Sequence, residues 1–443
     1  MIFNHRNILF IVLILLLVIG NKVYAEKPPS FLILTYGFWG SLDRLPLKDS
    51  SWLEQSPYPH ICKRQPASFL SGSEYQPIPQ SMLATGEGPS VTKYFFCSYY
   101  LLEHELAYWA KKINSREHRQ KIKIFDNWQV LQADNIRQQL GDINVIYLKY
   151  DWRLDLPQTE RDYARPLIFF IKRNWPEAKI NWVGHSLGGL VGRYVAAAHP
   201  GVLNSLISIG GPNYGIYELG MQCRGERVDY DGRWDLEKSQ EFGLRVAEQF
   251  FFGTKTIKSG DDFLSTAANF IKEYLPMMKW LDPQAGLLSD GFGTLTKLDQ
   301  AVPHTIAIYG LGFGSYDLHG NYHPAISEQY GVGPGLEPNH NSPPEYAITG
   351  DGRVDPVSAV GPFTNTLCIG MDKSHGSMMW SPLVLTFLID LYYFNGKMSP
   401  KDLWLEMRRL DIPYIERKKR IQWVLNARKI WDNKNNTQTG SKK

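Results

Sequence analysis

The sequence predicts an α/β chain: a doubly wound, mostly parallel sheet with a nucleophile elbow and an inserted cap or lid. Three observations carry this. Short apolar runs of strand length alternate with stretches of helical periodicity, the pattern of parallel strands joined by helices. One junction reads Gly184-His185-Ser186-Leu187-Gly188, between the apolar run Ile180, Trp182, Val183 and a helix-like stretch from Leu190 to Ala198. Glycines on either side of a serine let the backbone turn so sharply that the hydroxyl stands above the sheet. Downstream, an acid and a histidine each occupy a turn after a further strand-like run.

Taken in order, Phe31 to Leu34 is a buried-strand pattern that runs into Thr35-Tyr36-Gly37-Phe38-Trp39-Gly40. Residues 45–92 are rich in Pro, Ser, Gly and aromatics and read as a long lid-like excursion. Tyr99 to Lys112 has helical periodicity, Asn144 to Tyr150 is strand-like, and Thr159 to Asn174 is an amphipathic helix stopped by Trp175-Pro176. After the elbow helix, Leu206 to Ile209 is a strand ending in Gly210-Gly211-Pro212-Asn213. Alternation then lapses over 220–300, an aromatic, partly helical stretch expected to form a cap. Thr305 to Tyr309 resumes the sheet, and a Gly/Pro/Asn/His-rich loop follows to Pro344. Tyr346 to Thr349 is strand-like, Leu367 to Met371 is the last strand, and Met378 to Tyr393 the last core helix.

The N-terminus has the layout of a cleaved export signal. His5 and Arg6 precede an apolar run from Ile8 to Gly20, and Val23-Tyr24-Ala25 supplies small-residue cleavage chemistry. The run is short for a membrane span. No cysteine near the cleavage point invites lipidation. The expectation is a signal peptide over 1–25, one α/β domain over 26–400, a basic tail over 401–443, and a secreted or periplasmic location. Export makes the four cysteines, Cys62, Cys97, Cys223 and Cys368, potential bridges rather than metal ligands. Three pairings are open; Cys62 with Cys97 is favoured because both lie in one long early stretch. A formal net charge of +4 over 443 residues is too small to argue for nucleic acid.

A serine hydroxyl needs a histidine to take its proton and a carboxylate to hold that histidine in the right tautomer. In this fold the order along the chain is serine, acid, histidine. Asp351, in Gly350-Asp351-Gly352-Arg353-Val354, and His375, in Asp372-Lys373-Ser374-His375-Gly376-Ser377, match both order and setting. Asp355 is the competing acid, one turn later. His304, His323 and His340 come too early for the base, and His185, inside the elbow, is expected to pack.

These motifs resemble a known group of enzymes. Tyr150-Asp151-Trp152-Arg153-Leu154 before the elbow, Ile207-Ser208-Ile209-Gly210-Gly211-Pro212 after it, and the Gly350–Val354 turn resemble lecithin:cholesterol acyltransferase-like lipases of the α/β-hydrolase superfamily. Gly184 to Leu190 and Arg193-Tyr194-Val195-Ala196 are also similar to secreted bacterial triacylglycerol lipases, and Val354-Asp355-Pro356-Val357 to palmitoyl-protein thioesterases. The resemblance covers about 144–212 and 347–382, and thinly 34–40. It implies a serine acyl hydrolase or acyltransferase with Ser186, Asp351 and His375 as the catalytic residues. The backbone amides of Leu187 and Phe38 would form the oxyanion hole. The sequence departs from the acyltransferase pattern over 45–92 and in the cap.

The expected function is therefore an exported hydrolase of lipid carboxylic esters acting through an acyl-serine, with no metal or organic cofactor. Alternatives are a thioesterase or lipid acyltransferase with the same triad, or a non-catalytic lipid-binding protein on the same scaffold. The expected partner is a lipid or acyl ester, met at an interface through cap aromatics such as Trp52, Trp234, Phe250 and Trp280. In the tail, Arg417, Lys418, Lys419, Arg420, Arg428 and Lys429 flank Trp423, Ile430 and Trp431. That stretch is either a solvated surface helix or an interfacial anchor on anionic lipid.

Overall fold

The structure is a computed structural model that describes residues 28–37, 152–226, 276–288 and 302–323 nearly throughout, and 102–150 and 350–428 in part. Among the described residues, seven strands form one sheet: β1 (Ser30–Thr35), β2 (Ile122–Phe125), β3 (Ile143–Tyr147), β4 (Lys179–His185), β5 (Ser205–Ile209), β6 (His304–Gly310) and β9 (Thr366–Met371). Their order is β2-β3-β1-β4-β5-β6-β9, and every neighbouring pair is parallel. The remaining strands, β7 (Ser315–Tyr316) and β8 (Tyr322–His323), form a small antiparallel hairpin inside the predicted 310–344 loop. With helices on both faces and a sharp strand-to-helix turn after β4, this is the α/β-hydrolase fold.

The central strands are buried and mostly apolar because both faces of a parallel sheet are covered. β3 and β5 are buried throughout, and β4 at every residue but Lys179. Helices α1 (Arg165–Asn174) and α2 (Leu187–Ala198) cover one face and share its core with Trp152, Trp182 and Leu206. The other face packs beneath residues 106–115 and the last helix, through Leu106, Trp109, Leu385 and Leu388. Between α2 and β6 lie α3 (Tyr217–Arg224) and α4 (Pro276–Leu281), tied together by the Arg224 ion pair to Asp282 at 2.5 Å. Beyond β6 come α5 (Pro356–Val360) and α6 (Pro382–Tyr393).

The structure differs from the sequence reading in several places. Strand β2 has no counterpart in it. The expected helix from Thr159 begins at Leu156, capped by Asp155, and contains a π-helical turn over Glu160–Ala164 before α1. That turn aims buried Glu160 at Arg165 (2.6 Å) and His199 (2.7 Å), joining α1 to the end of the elbow helix. Burial opposes ionisation of Glu160, but hydrogen bonds from these two partners hold its pKa below the ordinary value. The 220 boundary of the cap falls inside α3. The signal peptide over 1–25, the 45–92 lid, Cys62 and Cys97, most of the cap and most of the tail lie outside the described residues. Of the aromatics expected to face lipid, Trp280 sits edge-on to Tyr194 at 6.2 Å and packs against the core. Among the described residues, no helix is long and apolar enough to cross a membrane.

Candidate active site

Ser186 joins β4 to α2 at φ 53° and ψ −126°, the one non-glycine residue with positive φ among those described. Such a backbone costs about 1–3 kcal/mol and persists only where its surroundings enforce it. Three hydrogen bonds do so. The Ser186 N–H donates to the Ile209 carbonyl of β5 at 2.8 Å. The Gly188 carbonyl accepts from Thr35 Oγ1 at 3.0 Å and from Trp182 Nε1 at 3.1 Å. The two flanking glycines are needed for close approach. A Cβ on Gly184 would overlap the Gly188 backbone, and one on Gly188 would stand 2.5 Å from the Thr35 carbonyl. The elbow is therefore wedged between the C-terminal ends of β1 and β5.

Asp351 follows Gly350, whose carbonyl accepts from the Phe313 N–H at 3.0 Å and whose N–H donates to Ser315 Oγ at 2.8 Å. The buried Asp351 carboxylate has both oxygens engaged. Oδ1 accepts from the N–H groups of Arg353 (2.9 Å) and Val354 (2.7 Å), while Oδ2 lies 2.7 Å from His375 Nδ1. The His375 N–H also donates to the Asp351 carbonyl at 2.8 Å. A carboxylate at Nδ1 assigns the proton there and leaves Nε2 as the acceptor, the tautomer a general base requires.

His185, one residue before the serine, faces this pair. Its Nε2 lies 2.9 Å from the His375 carbonyl oxygen. A carbonyl only accepts, so the proton is on His185 Nε2. Burial above all, with the adjacent His375 second, holds its pKa well below the usual imidazole range, so it stays neutral. His375 is thereby held at its N–H, its carbonyl and its ring.

Gly210 closes the arrangement. It follows Ile209 at φ +57°, and a Cβ there would lie 2.8 Å from Met378 Cε, 3.1 Å from His375 Nδ1 and 3.2 Å from Asp351 Oδ2. The β5 backbone thus holds the serine amide at one residue and runs behind the acid–histidine pair at the next. At the C-terminal edge of the sheet Asp351 and His375 pair at 2.7 Å, and His185, the neighbour of Ser186, contacts His375 at 2.9 Å.

The other candidates fall elsewhere. Asp355 caps α5, accepting from Val357 N–H at 2.8 Å and Ser358 N–H at 3.2 Å; its pKa is raised by burial, which these bonds only partly offset. His304 opens β6 at the opposite end of the sheet, and His323 pairs with Asp317 at 3.1 Å. Leu187 begins α2, where a first-turn N–H has no acceptor within its own helix and is available to a developing oxyanion. Phe38 lies outside the described residues; Tyr36 and Gly37, just before it, are buried. Among the described residues no three His, Cys, Asp or Glu side chains gather closely enough to hold a metal ion.

Two supporting residues had no role in the sequence reading. Arg193 is buried in α2, its guanidinium donates to the Asn213 carbonyl, and burial pulls its pKa down to about 9. Asn213 in turn donates through its side chain to the Ala359 carbonyl at 3.0 Å. The pair ties the elbow helix to the segment that carries the acid.

No family model and no curated protein matches the sequence. Many solved structures are similar at low identity, and three of them serve as examples. One is the Tle4–Tli4 complex, at 14% identity over 82% of this chain and 98% of that one, with a TM-score of 0.35. A second is the mature form of the lipase BlEst2 from Bacillus licheniformis, at 15% identity, 62% and 94% coverage, and a TM-score of 0.30. The third is the product of gene lin2722 of Listeria innocua, at 12% identity, 63% and 94% coverage, and a TM-score of 0.29. At these values they say nothing of the chemistry, which stands on the chain's own residues.

Proposed function

We propose that this chain is a serine hydrolase of lipid carboxylic esters. The observation that carries the reading is the 2.7 Å bond between Asp351 and His375, made directly behind the strained elbow of Ser186. Ser186 Oγ attacks the ester carbonyl while His375 Nε2 takes its proton. Asp351, already bound by two backbone N–H groups, stabilises the imidazolium that forms. The oxyanion is met by the amide of Leu187, with that of Phe38 as the second donor. His375 then returns the proton to the leaving alkoxide, and water repeats the cycle in reverse on the acyl-serine.

Lipid is the proposed substrate class because an acyl chain buried in an apolar trough contributes about 0.8 kcal/mol per methylene, which can serve alignment and lid opening. The cap and basic tail are the proposed contacts with a lipid interface, and the export-like layout of residues 1–25 supports a location outside the cytoplasm. The test is labelling with a fluorophosphonate together with a substrate panel: p-nitrophenyl esters of rising chain length, a triglyceride emulsion, phospholipid vesicles and a palmitoyl thioester. Labelling should map to Ser186, and Ser186→Ala should lower turnover on the order of 10³-fold or more while the protein stays folded. Rates should rise with chain length and step up when lipid aggregates. Preference for acetate without a step refutes the lipid reading; a dominant thioester rate makes the enzyme a thioesterase.

A further inference from the structure

The Tyr150-Asp151-Trp152-Arg153 run is the most distinctive motif outside the triad, and the mechanism above gives it no task. We infer that Tyr150 is a positioning residue for the oxyanion hole. Its buried hydroxyl fixes the peptide by which the chain leaves β1 for Phe38. The inference rests on Ser186 being the nucleophile and on the Phe38 amide being the second oxyanion donor.

Tyr150 follows the end of β3, beside β1 in the sheet. Its hydroxyl donates to the Tyr36 carbonyl at 2.6 Å, with both residues almost wholly buried. The Tyr36 ring meanwhile stacks on Tyr147, at 6.2 Å between centroids. The end of β3 thus grips Tyr36 by both its ring and its backbone.

That backbone is next to the chemistry. The Tyr36 carbonyl oxygen would lie 2.8 Å from a Cβ on Gly188, two residues past Ser186. A trans peptide is planar, so fixing the direction of the Tyr36 C=O also fixes the Gly37 N–H, which points the opposite way, and with it the point from which Gly37 leads on to Phe38. Oxyanion donors act only when held about 2.7–3.1 Å from the developing charge. A shift of about 1 Å can cost on the order of 10²-fold in rate. A buried phenol bonded to a carbonyl at this point restricts that shift without touching substrate.

The test is Tyr150→Phe, with Tyr147→Phe as the control that removes a hydroxyl from the same strand end. Enzyme concentration is set by active-site titration, so any unfolded fraction does not count. The readouts are kcat and KM for p-nitrophenyl butyrate and the inhibition constant of a trifluoromethyl ketone, whose hemiketal oxyanion occupies the same hole. Tyr150→Phe should lower kcat by roughly 10- to 100-fold with KM changed less than about 3-fold, and should weaken the ketone by the same factor as kcat. Tyr147→Phe should leave all three within about 2-fold. Ketone affinity unchanged in Tyr150→Phe, or equal losses in both variants, overturns the inference while the nucleophile assignment stands. Wild-type enzyme that fluorophosphonate does not label at Ser186 overturns both.

Discussion

The imidazoles of His185 and His375 face one another at 4.8 Å between centroids, tilted by 39°, with His185 Nε2 donating to the His375 carbonyl at 2.9 Å. Burial above all keeps the His185 ring neutral. This has a consequence for stability. The unfolded chain protonates His185 below about pH 6.5, whereas the folded protein, in which its pKa is depressed, does not. The unfolded state therefore binds more protons, and stability falls as pH drops below that value. His185→Gln keeps a donor for the carbonyl but cannot titrate. Denaturant unfolding at pH 7.5 and 5.0 should show a smaller loss of stability in the variant than in wild type; equal losses would mean His185 titrates alike in both states.

Asp351 and Asp355 are four residues apart, and the hydrogen bonds divide their work. Asp351→Asn removes the carboxylate that stabilises the His375 imidazolium and should lower kcat by roughly 10³- to 10⁴-fold with little change in fold. Asp355→Ala removes the cap of α5, which should cost about 1 kcal/mol of stability and leave kcat within about 3-fold. Steady-state kinetics beside thermal melts separate the two; a larger kinetic loss at Asp355 would make it the acid.

Gly210 and Gly201 both have positive φ, +57° and +78°, but only Gly210 abuts the acid–histidine pair; a Cβ on Gly201 would meet nothing within 4 Å. An alanine at either site carries backbone strain of about 1–3 kcal/mol. Gly210→Ala should in addition displace His375 or Met378 and lower kcat on the order of 10²-fold. Gly201→Ala should lower the Tm and leave kcat unchanged in the folded fraction. Similar kinetics for the two would mean the β5 turn does not position the histidine.

What could be read from the sequence follows from where each residue's constraint comes from. Strands β1, β4, β5 and β6 were legible because burial on both faces makes their runs mostly apolar. Edge strand β2 was not: it is four residues long, and exposed Lys123 interrupts it. Ser186, Asp351 and His375 stood out as candidates because the chemistry dictates residue type and chain order, though which aspartate meets the histidine depends on one turn of backbone. The π turn at Glu160 is set by His199, 39 residues away, and leaves no local pattern. The same holds for Tyr150, whose partner Tyr36 is 114 residues distant, and for Arg193, which reads as an ordinary helical residue until Asn213 is placed beside it. The motif containing Tyr150 was visible, but its task was not.

The basic tail was expected either to lie solvated on the surface or to anchor at lipid with Arg428 among its cations. Arg428 instead turns inward, its Nε and Nη2 at 3.0 and 2.7 Å from Asp390 Oδ2 on α6. Ile421 and Leu425 pack against the core cluster that contains Val384 and Leu388. Residues 421, 425 and 428 are spaced to share one helical face, so this face belongs to the domain and any lipid contact must use another. Asp390 is only 3% exposed at its side chain, against 16% for Arg428, so the guanidinium helps to solvate a nearly buried carboxylate. Arg428→Ala should then cost about 3 kcal/mol, the low end of what breaking a buried pair costs, because Arg428 keeps some contact with water. Asp390→Asn in the same background should recover much of that loss by removing the stranded charge. Truncation after Asp411 should destabilise at least as much as Arg428→Ala, since it also uncovers the apolar surface under Ile421 and Leu425. Urea unfolding of the four proteins decides it: a truncated chain as stable as wild type would mean the tail contributes nothing to the fold.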